Sequence, residues 1–248
     1  MKRFLLPVAL ATLCGVAFLR AADKPAAQLP DVAAPKMDAK TGRPQEAFVK
    51  LHQSFVKIAH EGQAKLVFLG DSITHGWSGN GKDVWPKAFG PYLPANFGIG
   101  GDRTQHVLWR ITNGELEGIR PKAFVVMIGT NNSRDDSAEG IAKGITKIVQ
   151  TLRAKQPQAK VLLLAVFPRG SKPDGQLNEQ NDKLKKVNAI IAKLDDSQHV
   201  FYLDIGNKFV PGNGPIDKEI MPDFLHLSAK GYQIWADAIG PKLAELMK

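Results

Sequence analysis

Cysteine is almost absent from this sequence, because Cys14 is the only one in 248 residues. It lies in a segment that we predict is removed, so the mature chain can form neither a disulfide nor a thiolate nucleophile. A metal site with cysteine ligands is excluded for the same reason. The six histidines show no H-x-x-x-H or H-x-E spacing, which disfavours metal catalysis. We therefore expect no metal and no cofactor.

Long runs of one charge are also missing. The net charge is +9 with 23% charged residues, and the basic residues are interspersed with acids. No nucleic-acid-binding motif is present, so no nucleic-acid partner is expected. The glycine-rich stretch 98–103 has Arg103 where a dinucleotide-binding loop needs its third glycine, and there is no Walker sequence. The chain also lacks the G-x-S-x-G elbow of α/β-hydrolases.

The N-terminal segment 1–22 is predicted to be a signal peptide. Basic Met1-Lys2-Arg3 precedes an uncharged apolar run of about sixteen residues, and small residues follow at Ala21-Ala22. The alternative is an uncleaved anchor, but the run is short for a span of roughly 20 residues. We expect a secreted or periplasmic protein without a stable membrane span after cleavage.

Residues 23–44 are predicted to be a linker or a loosely attached arm. Four prolines lie in this segment among alanines and lysines, a composition that favours neither helix nor strand. The length of the remaining chain, 45–248, suits a single folded domain.

Apolar strands alternate with amphipathic helices from residue 45 onward. In the first helix, 45–60, the apolar residues at helical spacing are Phe48, Leu51, Phe55 and Ile58. Further helices are predicted over 104–112, 138–155, 177–194 and from the capping residue Ser228 to about 247. The predicted strands are 66–69, 95–97, 123–128, 161–167 and 200–203. Because the strands are continuously apolar, they favour a parallel sheet in a three-layer α/β/α sandwich.

A serine and a histidine stand out among the polar residues. Ser72 follows the first strand, and Asp223 precedes His226 by three residues. A histidine can remove the proton that makes a serine hydroxyl a poor nucleophile, and a carboxylate can orient that histidine. Each motif alone is also explained by helix capping or a surface turn.

Two candidate donors could stabilise an oxyanion. Gly101 could present a backbone N–H, and Asn131 could present its side-chain amide. Both also suit ordinary turns. Since parallel strands end at one edge of the sheet, the loops carrying Ser72, Gly101 and Asn131 are expected to converge there.

Together these motifs resemble the SGNH, or GDSL-type, hydrolase superfamily, and within it the catalytic subunits of platelet-activating-factor acetylhydrolase Ib. The likeness covers nearly all of 46–245. The stretches that carry it include Gly70-Asp71-Ser72, Asn96–Asp102, His106–Arg110, Gly129–Asn132, Pro168-Arg169-Gly170 and Asp223–Leu227. The resemblance implies a flavodoxin-like fold, an SGNH hydrolase domain over 45–248 and no metal.

The resemblance also implies residue roles. Ser72 would be the nucleophile, His226 the base and Asp223 its orienting partner. The backbone N–H groups of Ser72 and Gly101 and the side chain of Asn131 would form the oxyanion hole.

The substrate side follows from the same resemblance. Ile73 and Leu225 would wall a small acyl pocket. Trp77 is a departure from those relatives; it could stack on a sugar ring, or it could pack in the core or at the rim of the site. We therefore expect a serine esterase that removes short acyl groups, most simply acetyl, from carbohydrate or other small esters. A lipase, lysophospholipase or platelet-activating-factor-type acetylhydrolase is the alternative, and a non-catalytic carbohydrate-binding protein is a third reading. A homodimer is also compatible with the resemblance.

Overall fold

The computed structural model describes residues 28–170 and 174–248, so the predicted signal peptide lies outside the described residues. The strands are β1 (Leu66–Gly70), β2 (Pro94–Gly98), β3 (Ala123–Met127), β4 (Lys160–Leu164) and β5 (Val200–Leu203). The α-helices are α1 (Glu46–Glu61), α2 (Ser72–His75), α3 (Trp85–Phe89), α4 (Thr104–Thr112), α5 (Ala138–Lys155), α6 (Gln180–Ile191), α7 (Gly206–Phe209) and α8 (Ala229–Leu246). Short 3₁₀ turns cover Gly76–Ser78, Gly90–Tyr92, Asn132–Arg134, Ala192–Leu194 and Pro211–Asn213. Within these described ranges, no helix has the length and apolar character needed to cross a bilayer.

The strands form one parallel sheet in the order β2-β1-β3-β4-β5. This is the order of flavodoxin-like folds, in which ligands bind where the strand order reverses, beyond the carboxyl ends of the strands. The last residue of β1, Gly70, pairs with Gly98 of β2 on one side and with Met127 of β3 on the other. The loop after β1 therefore begins at the reversal point, and the predicted α/β/α fold class is confirmed.

Two apolar cores cover the two faces of the sheet. In β1, Val67 and Leu69 belong to the core under α1, α4, α5 and α6, whereas Leu66 and Phe68 belong to the core under α3, α7 and α8. Successive side chains of a strand point to opposite faces, so a strand buried on both faces must be apolar at every position. All five residues of β1 are buried, which explains the continuous apolar runs.

The buried face of α1 differs from the predicted one. Its buried residues are Phe48, His52, Phe55 and Ala59, while Ile58 is 37% exposed. His52 is buried because its ring packs against Trp109, with the ring centroids 4.9 Å apart. His52 therefore occupies the buried position that the hydrophobic pattern predicts for Leu51.

The segment 28–44 has no helix or strand, as predicted, but it is not loosely attached. Thr104 Oγ1 donates to the carbonyl of Pro30 at 2.8 Å, and the backbone N–H of Ala34 donates to the carbonyl of Gln105 at 3.2 Å. An ion pair between Asp31 and Lys143 joins the segment to α5 at 2.7 Å. We call residues 28–44 the N-terminal arm; it is bonded to α4 and α5 near the sheet edge where the strands end.

A buried guanidinium links that sheet edge to α4. Arg110 is fully buried; its Nε donates to Asp102 Oδ2 at 3.0 Å, and its Nη1 lies 2.5 and 2.6 Å from the two oxygens of Glu115. Its Nη2 donates to the carbonyl of Phe97 in β2 at 2.9 Å. Burial raises the pKa of Asp102 to about 6, although the charge of Arg110 favours the carboxylate. Two buried acids therefore depend on one cation.

Replacing Arg110 with methionine should lower the free energy of unfolding by about 3–5 kcal/mol, because Asp102 and Glu115 would remain buried without a counter-charge. Urea denaturation measures the change. The control is Lys50→Met, which removes a surface ion pair whose side chains are 71% and 80% exposed and should cost about 1 kcal/mol or less. Equal costs for the two variants would contradict this role of Arg110.

Candidate active site

Ser72 is the first residue of α2 and directly follows the turn after β1. The turn is tight because Gly70 has no side chain: a Cβ there would lie 2.1 Å from Thr74 Oγ1 and 2.4 Å from the Met127 carbonyl. The carboxylate of Asp71 accepts the N–H of Ile73 at 3.0 Å and caps α2. The sequence around the serine therefore fixes its position at the centre of the sheet edge.

Ser72, His226 and Asp223 form a continuous hydrogen-bonded chain. Ser72 Oγ lies 2.8 Å from His226 Nε2, and His226 Nδ1 lies 2.6 Å from Asp223 Oδ2. The other oxygen of Asp223 accepts the backbone N–H groups of Leu225 at 3.1 Å and His226 at 2.7 Å. Phe224 adopts φ +65°, a left-handed conformation that is uncommon for a bulky residue and is often found at functional sites. This turn lets one short loop present both the acid and the base.

The carboxyl group of Asp223 is held in its ionised form. Partial burial alone would raise its pKa, but hydrogen bonds from the ring and backbone of His226 outweigh burial and lower it. An ionised Asp223 keeps the proton on His226 Nδ1 and leaves Nε2 free to accept the Ser72 proton.

The loop after β2 brings Gly100 close to the serine, and Gly101 follows it in the chain. A Cβ built on Gly100 would lie 4.0 Å from Ser72 Cβ. Within the described part of the chain, neither the Ser72 N–H nor the Gly101 N–H donates to an acceptor. Asn131 Nδ2 donates to the Asp102 carbonyl at 2.8 Å, which leaves its second amide hydrogen available. These three groups are therefore suitable donors for an oxyanion.

Asp71 lies directly beside the nucleophile and is completely buried. Burial raises its pKa to about 7, and the neighbouring carboxylate of Asp102 acts in the same direction, against the hydrogen bond from Ile73. Its Oδ2 has no partner among the described residues. The site therefore contains an acid whose ionisation is disfavoured by its surroundings.

Arg169 is a site residue whose role the residue patterns did not reveal. It is 5% exposed, and its Nη1 donates to the carbonyl of Thr130 at 3.1 Å. The next residue, Gly170, donates its N–H to the carbonyl of Phe224 at 2.8 Å. The loop after β4 thus connects the Asn131 loop to the His226 loop. Only its place in the Pro168-Arg169-Gly170 stretch of the family resemblance could have indicated it.

The segment Ser78–Lys82 also supports the histidine loop. Asn80 Nδ2 donates to the carbonyl of Leu227 at 2.9 Å, across 147 residues of chain. This segment therefore connects the region after the serine to the histidine loop.

The predicted substrate-binding residues do not lie on one open surface. Trp77 is 1% exposed and packs inside an aromatic cluster, with its ring centroid 4.5 Å from Tyr232 and 5.1 Å from Trp235. Its faces are covered by protein, so the prediction that it stacks on a sugar is wrong. Ile73 is also 1% exposed and belongs to the core, whereas Leu225 is partly exposed beside His226. The wall of the acyl pocket assigned to Ile73 therefore remains a prediction, and Leu225 is the more accessible of the two.

A hydroxyl, an imidazole and a carboxylate in series, at the strand ends of a flavodoxin-like sheet, define a hydrolase that uses a serine nucleophile for acyl transfer. The model of the GDSL-like lipase/acylhydrolase family matches residues 68–234. The chain belongs to this family and is a carboxylic ester hydrolase.

The chain is similar to several named proteins. It is 42% identical to the platelet-activating factor acetylhydrolase IB subunit alpha2 of Rattus norvegicus over 75% of this chain and 79% of that protein. It is 40% identical to subunit alpha1 of Homo sapiens over 81% and 84%, respectively. The solved structure of a GDSL-like lipase from Bacteroides thetaiotaomicron superposes with a TM-score of 0.64 at 19% identity, covering 78% of this chain and 97% of that one. This last likeness shows the shared fold alone.

The buried Asp71 should make the pH dependence of stability unusual. Its pKa is about 7 in the folded state and 3.8 as the ordinary value, so between these values the folded state binds more protons than the unfolded state. Asp71 then makes stability fall as pH rises from about 4 to about 7. Asp71→Asn mimics the protonated acid and should remove this contribution.

Thermal unfolding across this pH range measures the effect. The difference in Tm between Asp71→Asn and wild type should become more positive as pH rises, while Asp83→Asn, at an exposed site, should track wild type. A Tm difference for Asp71→Asn that does not change with pH would contradict the assignment.

Proposed function

We propose that this protein hydrolyses acetyl esters through a covalent acyl-enzyme. Ser72 Oγ attacks the ester carbonyl while His226 Nε2 takes its proton, and the resulting oxyanion accepts hydrogen bonds from the Ser72 and Gly101 N–H groups and from Asn131. The carbon–oxygen bond to the alcohol breaks as His226 returns the proton to the leaving oxygen. Water, deprotonated by His226, then attacks the acyl-enzyme and releases acetate and Ser72.

The chain of contacts from Ser72 through His226 to Asp223, at 2.8 and 2.6 Å, is the observation that carries this proposal. The acyl group is inferred from the relatives, which are named as acetylhydrolases and are 40–42% identical to this chain. Leu225 is partly exposed beside the base, and this position supports our proposal that it limits the length of the acyl chain.

The leaving alcohol has two candidates. The names of the relatives favour an acetylated phospholipid of the platelet-activating-factor type. An acetylated carbohydrate fits the proposed export of the chain through residues 1–22. However, Trp77 is buried and offers no aromatic surface on which a sugar ring could stack. The phospholipid ester is therefore the better supported of the two.

Ser72→Ala should lower kcat/KM for p-nitrophenyl acetate by about 10⁴-fold or more, because the nucleophile and its proton transfer are both lost. Initial rates measure activity, and thermal unfolding should show a Tm close to that of wild type. The control is Ser54→Ala on the exposed face of α1, which should retain full activity. An active, folded Ser72→Ala variant would show that another group performs the reaction.

A panel of esters tests both the acyl length and the alcohol. Acetate should be released faster than butyrate from matched p-nitrophenyl esters. An sn-2 acetyl phospholipid should have a higher kcat/KM than acetylated xylan. Leu225→Ala should raise the relative rate on butyrate, because shortening the side chain enlarges the space beside His226. A preference for butyrate in the wild type would contradict the short-acyl assignment.

A further inference from the structure

The N-terminal arm places a lysine against the turn that carries Gly101. Lys36 Nζ donates to the carbonyl oxygen of Gly100 at 2.5 Å. A Cβ built on Gly101 would lie 2.7 Å from the same Nζ, so the ammonium group rests on the face of this glycine. The contact joins residues 64 positions apart and depends on how the arm is docked.

Contacts of the residues before and after Lys36 fix the position of its backbone. Before it, the arm is bonded to α4 through Pro30 and Ala34. After it, the carbonyl of Lys36 accepts the N–H of Gln45 at 2.8 Å, and Met37 bridges to Pro44. The arm therefore holds the lysine backbone in place over the active-site edge.

The carbonyl that Lys36 contacts belongs to the peptide group whose N–H is that of Gly101. In a trans peptide the C=O and N–H bonds point in opposite directions. The ammonium group therefore faces one end of this peptide, and the N–H at the other end is free of protein acceptors among the described residues. Hydrogen bonds in series polarise one another, so a cation at the oxygen makes the N–H a better donor.

The Gly100–Gly101 peptide is the central peptide of a tight turn. The Asp102 N–H donates to the Ile99 carbonyl at 3.1 Å, and Gly101 has φ +73° while Gly100 is not in the positive-φ region. This matches a type II turn, in which the central peptide joins Gly100 to Gly101. Rotating that peptide gives a type I turn and redirects the Gly101 N–H. Two consecutive glycines offer little steric resistance to this rotation.

We propose that Lys36 is a positioning residue for the oxyanion hole: it holds the Gly100–Gly101 peptide so that the Gly101 N–H points at the reacting carbonyl. The inference rests on the proposed acyl-enzyme function, in which that N–H stabilises the oxyanion. Burial lowers the pKa of Lys36, with the carboxylates of Asp102 and Asp71 acting against it. Its surroundings are thus partly desolvated, which strengthens a hydrogen bond to the carbonyl.

Lys36→Met tests this role, since it removes the ammonium group and keeps a chain of similar length. Removing a direct oxyanion donor costs about 10²–10³ in kcat, so loss of a group that only holds one donor should lower kcat for p-nitrophenyl acetate by about 10-fold. KM should stay within about 2-fold, because the hole is occupied by charge only in the transition state. The control is Lys40→Met, an exposed lysine of the same arm, which should leave kcat unchanged.

The inhibition constant of a trifluoromethyl ketone distinguishes a positioning role of Lys36 from a purely structural one, which would leave that constant unchanged. The ketone adds to Ser72 as a hemiketal whose oxyanion occupies the hole, so its inhibition constant should rise in Lys36→Met by the same factor as kcat falls. Thermal unfolding should show that both variants fold cooperatively, with the Tm of Lys36→Met lower by no more than about 6 °C for the lost hydrogen bond.

Three outcomes would overturn the inference. The first is an unchanged kcat and an unchanged ketone inhibition constant in Lys36→Met. The second is a rise in KM alone, which would make Lys36 a substrate contact, and the third is an equal loss of kcat in Lys36→Met and Lys40→Met. In each case, loss of activity in Ser72→Ala would leave the proposed function standing. Retained activity in Ser72→Ala would reject the proposed function itself.

Discussion

The buried guanidinium of Arg110 is the constraint on which the active-site edge depends. It contacts Asp102 in the loop after β2, the Phe97 carbonyl in β2 itself and Glu115 beyond α4. Because water is excluded there, each of these polar groups needs the cation, and the cation needs the carboxylates. Asp102 in turn presents its carbonyl to Asn131. One buried charge therefore holds together the loops that carry two of the three proposed oxyanion donors, Gly101 and Asn131.

Much of the fold and the triad could be predicted from the sequence because their signals are local or shared with a family. The apolar runs at 66–69 and 123–128 reflect burial on both faces of the sheet, which leaves few alternatives for a strand. Ser72, Asp223 and His226 carry the chemistry in their own side chains. The parallel sheet then brings distant loops to one edge without any further information from the chain.

The rest depends on tertiary contacts that leave no periodic pattern. The arm around Lys36 has no repeated hydrophobic spacing, because it is held by single hydrogen bonds to α4. Its composition alone therefore predicts a linker. A tryptophan gives the same sequence signal whether it stacks on a ligand or packs against protein side chains, as Trp77 does against Tyr232. Arg110 lies on a helix where an arginine usually reaches solvent. Burial, rather than residue type, decides each of these cases.

All the covalent chemistry of the proposed reaction takes place on Ser72, and active-site labelling tests this assignment most directly. A fluorophosphonate reacts with an activated serine, and peptide mass spectrometry of the product locates the modified side chain. We predict one phosphonyl group per chain, on Ser72, formed in parallel with the loss of esterase activity. Complete inactivation with the label on another residue, or full activity with Ser72 labelled, would contradict the account.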